Sequence, residues 1–195
     1  DLLLAWESGM PASTVEELRA LGYRVEVIRT RGLDDIASAL RRIGRLTGRA
    51  ANGDEEAKRF ESALAALRDA NGDKRRLDVF YQVSEQPLYT VNGRHYISEV
   101  LEICGGSNVF AELDELAPNV AVEAVIARQP EVILAAGATT NFDVWRRWDT
   151  LPAARTDSFY VLPADETGRP TPRVRVAAEA ACAALDDARE RQAAP

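Results

Sequence analysis

Few side chains in this chain could do chemistry, and they are spread along its length. His95 is the only histidine, and it has no Cys, Asp or second His at metal-ligand spacing, which favours a capping or solvated role. Asp165 and Arg169 lie four residues apart, a spacing typical of an exposed ion pair worth about 0.5 kcal/mol. The sequence shows no glycine-rich phosphate loop, nucleophile elbow or zinc-binding helix. We therefore expect no catalytic residue and no metal site.

The aromatic side chains offer a different kind of candidate. Leu2 to Ala5 is continuously apolar, which predicts a buried parallel strand, and Trp6 follows directly. Open α/β sheets bind ligands outside the carboxyl ends of their strands, so Trp6 is a candidate ligand contact. The alternative is a Trp packed in the core. Trp145 and Trp148 are spaced three apart, which is typical of an amphipathic helix packed on a sheet.

Length and composition exclude several classes of partner. The 195 residues can bury a sizeable core, and 46% hydrophobic with 28% charged residues is ordinary globular composition. A net charge of −7 argues against a nucleic-acid partner and against an anionic membrane surface. No apolar run approaches the roughly 18 to 20 residues of a membrane-spanning helix. The chain begins at Asp1 without Met, so we expect that any export signal was removed or lies upstream.

The first part of the chain alternates strand and helix patterns. Ser13-Thr14-Val15-Glu16 matches a capping box and predicts the start of a helix. Val25 to Ile28 predicts a second strand, and apolar residues at helical spacing from Leu33 to Ile43 predict a second helix. Asn52-Gly53-Asp54 then predicts the cap of a longer helix that runs to Asn71.

The second part repeats this alternation. Leu77 to Val83, Glu131 to Gly137 and Phe159 to Leu162 have the composition of strands, and Glu131 to Gly137 echoes Asp1 to Trp6. A helical pattern follows each of the two echoing strands. The repeat therefore indicates two similar structural units in one chain.

Alternating strands and helices predict an α/β fold of two lobes, each with a parallel-type sheet flanked by helices. We place the remainder of the first lobe at 1–48, a long rigid connecting helix at 49–75 and the second lobe at 76–195. Two strands and two helices would leave the edges of the first sheet uncovered. We therefore expect that the N-terminal part of the first lobe is absent from this chain.

One segment joins several of these features. Pro87 to Phe110 contains a turn, an amphipathic helix at Tyr96, a cysteine at Cys104 and a glycine stop at Gly105-Gly106, and the other cysteine, Cys182, lies in a late apolar helix. This combination resembles the periplasmic cobalamin-binding proteins of ABC importers, and the similarity covers nearly the whole chain. The resemblance implies two lobes joined by one rigid helix, with the ligand in the cleft between them. It also implies a disulfide between the two cysteines and an oxidising compartment.

The resemblance also implies site residues. Members that bind cobalamin hold the flat corrin between aromatic side chains from both lobes, and Trp6 falls on one of those positions. Asp165 and Arg169 match two polar ligand contacts. Their chemistry suits the corrin amides, because a carboxylate accepts from an amide N–H and a guanidinium donates to an amide carbonyl.

Three aromatic positions of the family are not aromatic here. The aligned residues are Val27, Val83 and Ala117, which removes stacking surface from both lobes. The candidates to replace that surface are Tyr89, Phe142 and Trp145.

The resemblance further suggests how the chain docks. Glu123, in a helix predicted from about Val120 to Arg128, matches a surface glutamate that pairs with an arginine of the membrane permease. A carboxylate near a helix N-terminus also stabilises the helix by itself, so both roles stay open. In the first lobe the matching position is Ala12, with Glu16 and Glu17 nearby.

We interpret the chain as a non-catalytic, periplasmic and monomeric binding protein. It would capture cobalamin or a related corrinoid and deliver it to an inner-membrane ABC permease, with no cofactor of its own and no nucleic-acid partner. An iron siderophore or haem is the alternative ligand, because the same scaffold serves both. A two-lobed α/β enzyme such as a metal chelatase, with His95 at the metal, is the alternative from another class, and a sensory ectodomain is a third.

Overall fold

The computed structural model describes residues 2–7, 9–137 and 141–193. It comprises two compact units, Asp1–Arg59 and Phe60–Pro195. The division falls inside the long helix α3, Ala50–Asn71, at the place where the sequence predicts a connecting helix. The lobe limits at 1–48, 49–75 and 76–195 remain a prediction.

The first unit is built on two parallel strands. Its elements are β1 (Leu2–Trp6), α1 (Ala12–Ala20), β2 (Arg24–Ile28), α2 (Leu33–Leu46) and the first part of α3. The register pairs Leu2 with Arg24 and Trp6 with Ile28. Its core between sheet and α1 consists of Ala5, Val15 and Val25, with Leu3, Met10, Leu18 and Val27 packed against them. The predicted strand–helix–strand–helix order of this part is confirmed.

Strand β1 is less buried than its apolar sequence predicts. Leu3 and Ala5 face the core with α1, whereas the side chain of Leu4 points to the opposite face and is 47% exposed. The expectation of a strand covered on both faces is therefore wrong for β1.

The two helix starts that capping signals predict in the first unit are wrong, whereas the helix predicted from Leu33 does begin there. Helix α1 begins at Ala12 behind Pro11, whose fixed φ of −56° suits a helix start, so Ser13 lies inside the first turn. Helix α3 begins at Ala50, so Gly53 is helical rather than a cap. Gly53 is there for packing: a Cβ on it would lie 2.6 Å from the carbonyl oxygen of Leu40 in α2.

The second unit contains a four-stranded, all-parallel sheet in the order β6-β3-β7-β8. Its strands are β3 (Leu77–Gln82), β6 (Gly106–Asn108), β7 (Val132–Ala136) and β8 (Phe159–Leu162), and a short antiparallel hairpin joins β4 (Ser84–Glu85) to β5 (Leu88–Tyr89). Its helices are α4 (Tyr96–Ile103), α5 (Val122–Arg128), α6 (Asp143–Arg146), α7 (Pro152–Arg155), α8 (Ala164–Thr167) and α9 (Val174–Ala193). The strands predicted around Leu77, Val132 and Phe159 are confirmed, as is the parallel α/β fold class.

Helices cover both faces of this sheet. Phe80 and Ile133, which are paired in the sheet, pack on one face with Val125 of α5, Trp145 of α6 and Leu151, the residue before α7. The alternate residues of the same strands face the other side, where α9 contacts β7, β8 and α4. None of the helices within the described ranges has the length and apolar character needed to cross a bilayer.

A disulfide between Cys104 and Cys182 confirms the pairing expected from the resemblance. It joins the C-terminal end of α4 to the middle of α9, with a Cα–Cα distance of 4.6 Å. Arg189 reinforces the same junction, because its Nη2 donates to the carbonyl oxygens of Cys104 (2.8 Å) and Gly105 (3.3 Å). Gly105 has φ of +74°, and a Cβ there would lie 2.7 Å from that Nη2 atom.

Candidate ligand-binding surfaces

Three parallel strands of the second unit end at one edge of its sheet. Strand β3 continues into Val83, β7 into Gly137 and β8 into Pro163, and the amide of Gly137 donates to the carbonyl of Leu162 (3.4 Å). Ligands of open α/β sheets bind outside this carboxyl edge. Tyr89 and the Asp165–Arg169 pair lie on segments that leave the sheet there.

The first of these segments presents Tyr89. The amide of Val83 donates to the carbonyl of Tyr89 (2.8 Å), and Tyr89 is also bridged to Asn119 on the adjoining segment. Val83 is 47% exposed and Tyr89 is 37% exposed, and Ala117, two residues from Asn119, is exposed as well. The hairpin surface, formed by Val83, Tyr89 and Ala117, therefore presents one aromatic ring and two small apolar side chains on adjoining segments.

Buried polar side chains fix the hairpin surface to the sheet. The hydroxyl of Thr90, fully buried, donates to the carbonyl of Tyr81 in β3 (2.7 Å). The Asn92 amide, also fully buried, donates to the carbonyl of Leu113 (2.8 Å). The residue after Tyr89 is thus held by β3 itself, which fixes the backbone from which the Tyr89 side chain projects.

The second segment is the α8 loop, residues 163–173, which carries the polar pair. The Arg169 Nη2 atom lies 3.9 Å from the Asp165 Oδ1 atom, and the two side chains are 63% and 69% exposed. This matches the exposed ion pair that the four-residue spacing predicts. Because both side chains are exposed and point outward, each also keeps hydrogen-bonding capacity for a ligand.

Trp6 lies at the equivalent place in the first unit, at the carboxyl end of β1 opposite Ile28. Its side chain is half-buried, so part of the indole is accessible. Val27, which occupies an aromatic position of the family, is partly buried against the core of the first unit. Trp6 is therefore the aromatic candidate of this unit, and its ligand role remains a prediction.

A charged cluster that was not predicted from the sequence lies directly after Trp6. The carboxylate of Glu7 accepts from Arg29 Nε (2.9 Å) and from Arg31 Nη2 (3.2 Å). Both guanidinium groups remain about 70% exposed, and the cluster carries one net positive charge. Glu7 directly follows β1, and Arg29 directly follows β2. That shared position after neighbouring parallel strands is the signal that could have predicted their contact.

Two of the proposed aromatic replacements are not available to a ligand in this structure. Trp145 is fully buried, and its Nε1 donates to the Gln82 side-chain oxygen (2.7 Å) while its ring meets Phe80 edge-on at 5.5 Å. Phe142 is 7% exposed and stacks on Phe159 at 5.4 Å. Both rings serve the core of the second unit, so the suggestion that they replace cleft aromatics is wrong. The packing predicted for Trp145 is confirmed, but the predicted helix does not extend to Trp148, which lies beyond α6 and is 38% exposed.

His95 takes the capping role that its sequence context favours. It is the N-cap of α4, and its Nδ1 accepts from the amide of Ile97 (3.2 Å). Burial lowers the pKa of His95 from 6.5 to about 4, so the ring is neutral and able to accept that bond near neutral pH. Among the described residues, no group of three or more His, Cys, Asp or Glu side chains could hold a metal ion.

Glu123 is exposed in the first turn of α5, which begins at Val122. The N-cap residue, Ala121, offers no side-chain cap, so a carboxylate near this end suits the exposed backbone amides. Its role in docking remains a prediction.

Comparison with known proteins gives the family. The model of the periplasmic binding protein family matches residues 1–166. A vitamin B12-binding protein of Vibrio parahaemolyticus is 37% identical over 175 residues, covering 89% of this chain and 64% of that protein. One from Vibrio cholerae is 35% identical over 187 residues, covering 95% and 68%. The chain thus spans about two thirds of the length of these relatives.

Solved structures agree with this result. The periplasmic vitamin B12 binding protein BtuF of Vibrio cholerae superposes with a TM-score of 0.87 at 35% identity, over 97% of this chain and 75% of that one. The periplasmic heme-binding protein RhuT from Roseiflexus sp. RS-1 superposes with a TM-score of 0.82 at 21% identity, a likeness that concerns the fold alone. On these matches, the chain belongs to the periplasmic binding protein family.

Proposed function

We propose that this protein captures cobalamin or a related corrinoid in the periplasm and delivers it to an inner-membrane ABC permease. The observation that carries the proposal is the carboxyl edge of the second unit, where Tyr89 and the exposed Asp165–Arg169 pair lie on segments that leave the sheet at the same edge. The names of the relatives with 35% to 37% identity support the same ligand.

The chemistry of the surfaces suits a flat ring with peripheral amides. Tyr89 and Trp6 offer aromatic surface for the corrin, Asp165 accepts from amide N–H groups, and Arg169 donates to amide carbonyls. The protein's own contribution is binding and orientation, without a covalent step. We propose that it acts as a monomer and needs no cofactor.

Val83 and Ala117 reduce the aromatic surface, so the ligand must be tested against others that the scaffold could hold. Hydroxocobalamin, ferric hydroxamate siderophore and haem should be titrated separately into the full chain, with the ligand absorbance as the readout. We expect saturable, one-to-one binding of hydroxocobalamin alone. Binding of haem or siderophore with no response to hydroxocobalamin would contradict the proposed ligand.

Trp6→Ala tests the aromatic contact from the first unit. If ligand covers the indole, the variant should bind hydroxocobalamin about 1 to 3 kcal/mol more weakly by calorimetry, with a nearly unchanged melting temperature. Trp148→Ala is the matched control, because Trp148 is similarly part-exposed (38%) but lies after α6. Unchanged affinity together with a lowered melting temperature would assign Trp6 to the core instead.

A further inference from the structure

The α8 loop presents two exposed side chains around one deeply buried residue. Asp165 and Arg169 are more than 60% exposed, whereas Thr167 between them is 1% exposed. Asp165 lies in α8, Ala164–Thr167, and Arg169 lies two residues beyond its end, so the exposed pair brackets the buried Thr167. The loop therefore presents the polar pair to solvent and buries Thr167 between them.

Tyr96 holds the buried side of this turn. Its hydroxyl donates to the backbone carbonyl of Thr167 at 2.6 Å, across 71 residues of sequence, and its ring is 6% exposed. Burial raises the pKa of Tyr96 to about 12, so the hydroxyl keeps its proton and remains a donor at physiological pH. Tyr96 is the first residue of α4, which the disulfide fastens to α9, so the donor stands on a firmly held element.

The remaining bonds of the turn are local. The hydroxyl of Thr167 donates to the carbonyl of Pro163 (2.6 Å). The amide of Gly168 donates to the carbonyl of Ala164 (2.8 Å). Arg173 forms an ion pair with Glu166. These bonds shape the turn but do not set its position relative to α4. The Tyr96 hydroxyl bond joins the loop directly to α4.

We propose that Tyr96 is a positioning residue for ligand binding, which acts by fixing the α8 loop so that Asp165 and Arg169 are held ready for the ligand's amide groups. This inference rests on the proposed function. A loop that is already ordered loses less conformational freedom when the ligand binds, so its polar contacts give more net affinity. Tyr96 itself need not touch the ligand.

Tyr96→Phe removes the hydroxyl and keeps the ring. We expect the variant to bind hydroxocobalamin roughly threefold to tenfold more weakly, the range that one hydrogen bond supports, mainly through faster dissociation. Amide exchange in residues 163–173 should become faster. Tyr160→Phe is the matched control: it also removes one tyrosine hydroxyl bond of the second unit, to Asp187 (2.7 Å), but on β8 and α9.

A double-mutant cycle separates positioning from general stability. In a chain that already carries Asp165→Ala and Arg169→Ala, Tyr96→Phe should have no further effect on affinity, because the side chains through which it acts are gone. An equal loss in both backgrounds, or no loss in the wild-type background, would overturn the inference. Unchanged amide exchange in the loop would overturn it as well. If the wild-type chain does not bind hydroxocobalamin, the proposed function fails, and the ligand part of this inference fails with it.

Discussion

The two units of this molecule use parallel sheets of very different completeness. In the second unit both faces of the sheet are covered, and paired residues such as Phe80 and Ile133 are fully buried. In the first unit two strands share a small core, and Leu4 (47%), Tyr23 (50%) and Leu21 (74%) remain exposed. Buried apolar area is the main source of folding free energy, so we expect the second unit to be the more stable one.

The second unit also has more of the bonds that join residues distant in sequence. The second unit has the Cys104–Cys182 disulfide, and Arg189 donates to backbone carbonyls more than 80 residues away. In the first unit the described ties are shorter in sequence, such as the Glu7 pairs with Arg29 and Arg31. Similar strand–helix units can therefore carry equivalent candidate contacts, Trp6 and Tyr89, on cores that bury unequal apolar area.

The largest effect should come from removing the disulfide. The disulfide joins residues 78 apart in sequence, and replacing both Cys104 and Cys182 by Ala removes that constraint from the unfolded chain. On the chain-entropy model, the free energy of unfolding should fall by about 4.5 kcal/mol. Hydrogen exchange measured by mass spectrometry should show lost protection in β3, β7 and α9 and little change in β1 and β2. Equal loss in both units would mean that their stabilities are coupled rather than separate.

A glycine substitution tests the first unit in the same way. Alanine normally favours a helix interior over glycine by about 1 kcal/mol. Gly53→Ala should nevertheless destabilise the first unit, by roughly 1 to 3 kcal/mol, because its Cβ would meet the Leu40 carbonyl at 2.6 Å and the Gly44 Cα at close to 3.0 Å.

The measurement is urea unfolding combined with segment-resolved hydrogen exchange. Asn52→Ala, an exposed neighbour in the same helix, is the control and should leave stability nearly unchanged or slightly raised. A Gly53→Ala protein more stable than wild type would show that α2 and α3 separate easily, and the first unit would then be more adaptable than its packing indicates.

Lowering the pH should reduce the free energy of unfolding of the second unit, because His95 binds a proton more readily when the chain is unfolded. Its pKa is about 4 in the folded protein and near 6.5 when unfolded, so as pH falls from 6.5 to 4 the unfolded state gains a proton that the folded state does not bind. Stability is therefore lost across that window, while the ring in the folded protein stays neutral and keeps its N-cap bond to Ile97. His95→Asn keeps an acceptor for the Ile97 amide without titrating. Melting temperatures from pH 7 to 4 should fall less for this variant than for wild type, and parallel curves would contradict the assignment.

The sequence predicts the order of elements well because each strand and helix has its own pattern. The strand at Val132 and the helix at Leu33 follow directly from apolar periodicity. The predicted start of α3 is wrong because a tertiary constraint decides the conformation there: Gly53 resembles a turn residue, but its lack of a side chain is required by the approach of α2. Such an approach involves residues distant in sequence, so no local pattern reveals it.

For the candidate site too, the sequence predicts contacts between residues close in sequence and misses those between distant ones. Asp165 and Arg169 were predicted as a pair because their contact is local, and the structure brings them to 3.9 Å. Tyr96 was recognised only as part of a helix, because its hydroxyl partner, Thr167, is 71 residues away. Trp145 and Phe142 show the reverse limit: an aromatic residue near a strand end gives no sign in the sequence of whether it faces the core or a ligand.

Substitution of Glu123, the residue predicted to dock on the permease, should change stability least. The two units differ here, because only the second has a charged residue at the predicted docking position. In the second unit Glu123 is exposed at the start of α5, whereas Ala12, the position that the family resemblance matches to it in the first unit, has no charge. Removing the carboxylate from the first turn should cost no more than about 0.3 to 1 kcal/mol of stability.

If the carboxylate meets an arginine of the permease, Glu123→Arg should slow association and weaken its salt dependence while hydroxocobalamin affinity stays unchanged. Uptake into vesicles containing the permease, at limiting protein and low salt, is the measurement, with Glu115→Arg as an exposed control of the same charge change in the same unit. Wild-type uptake by Glu123→Arg would remove Glu123 from the interface and leave helix stabilisation as its role.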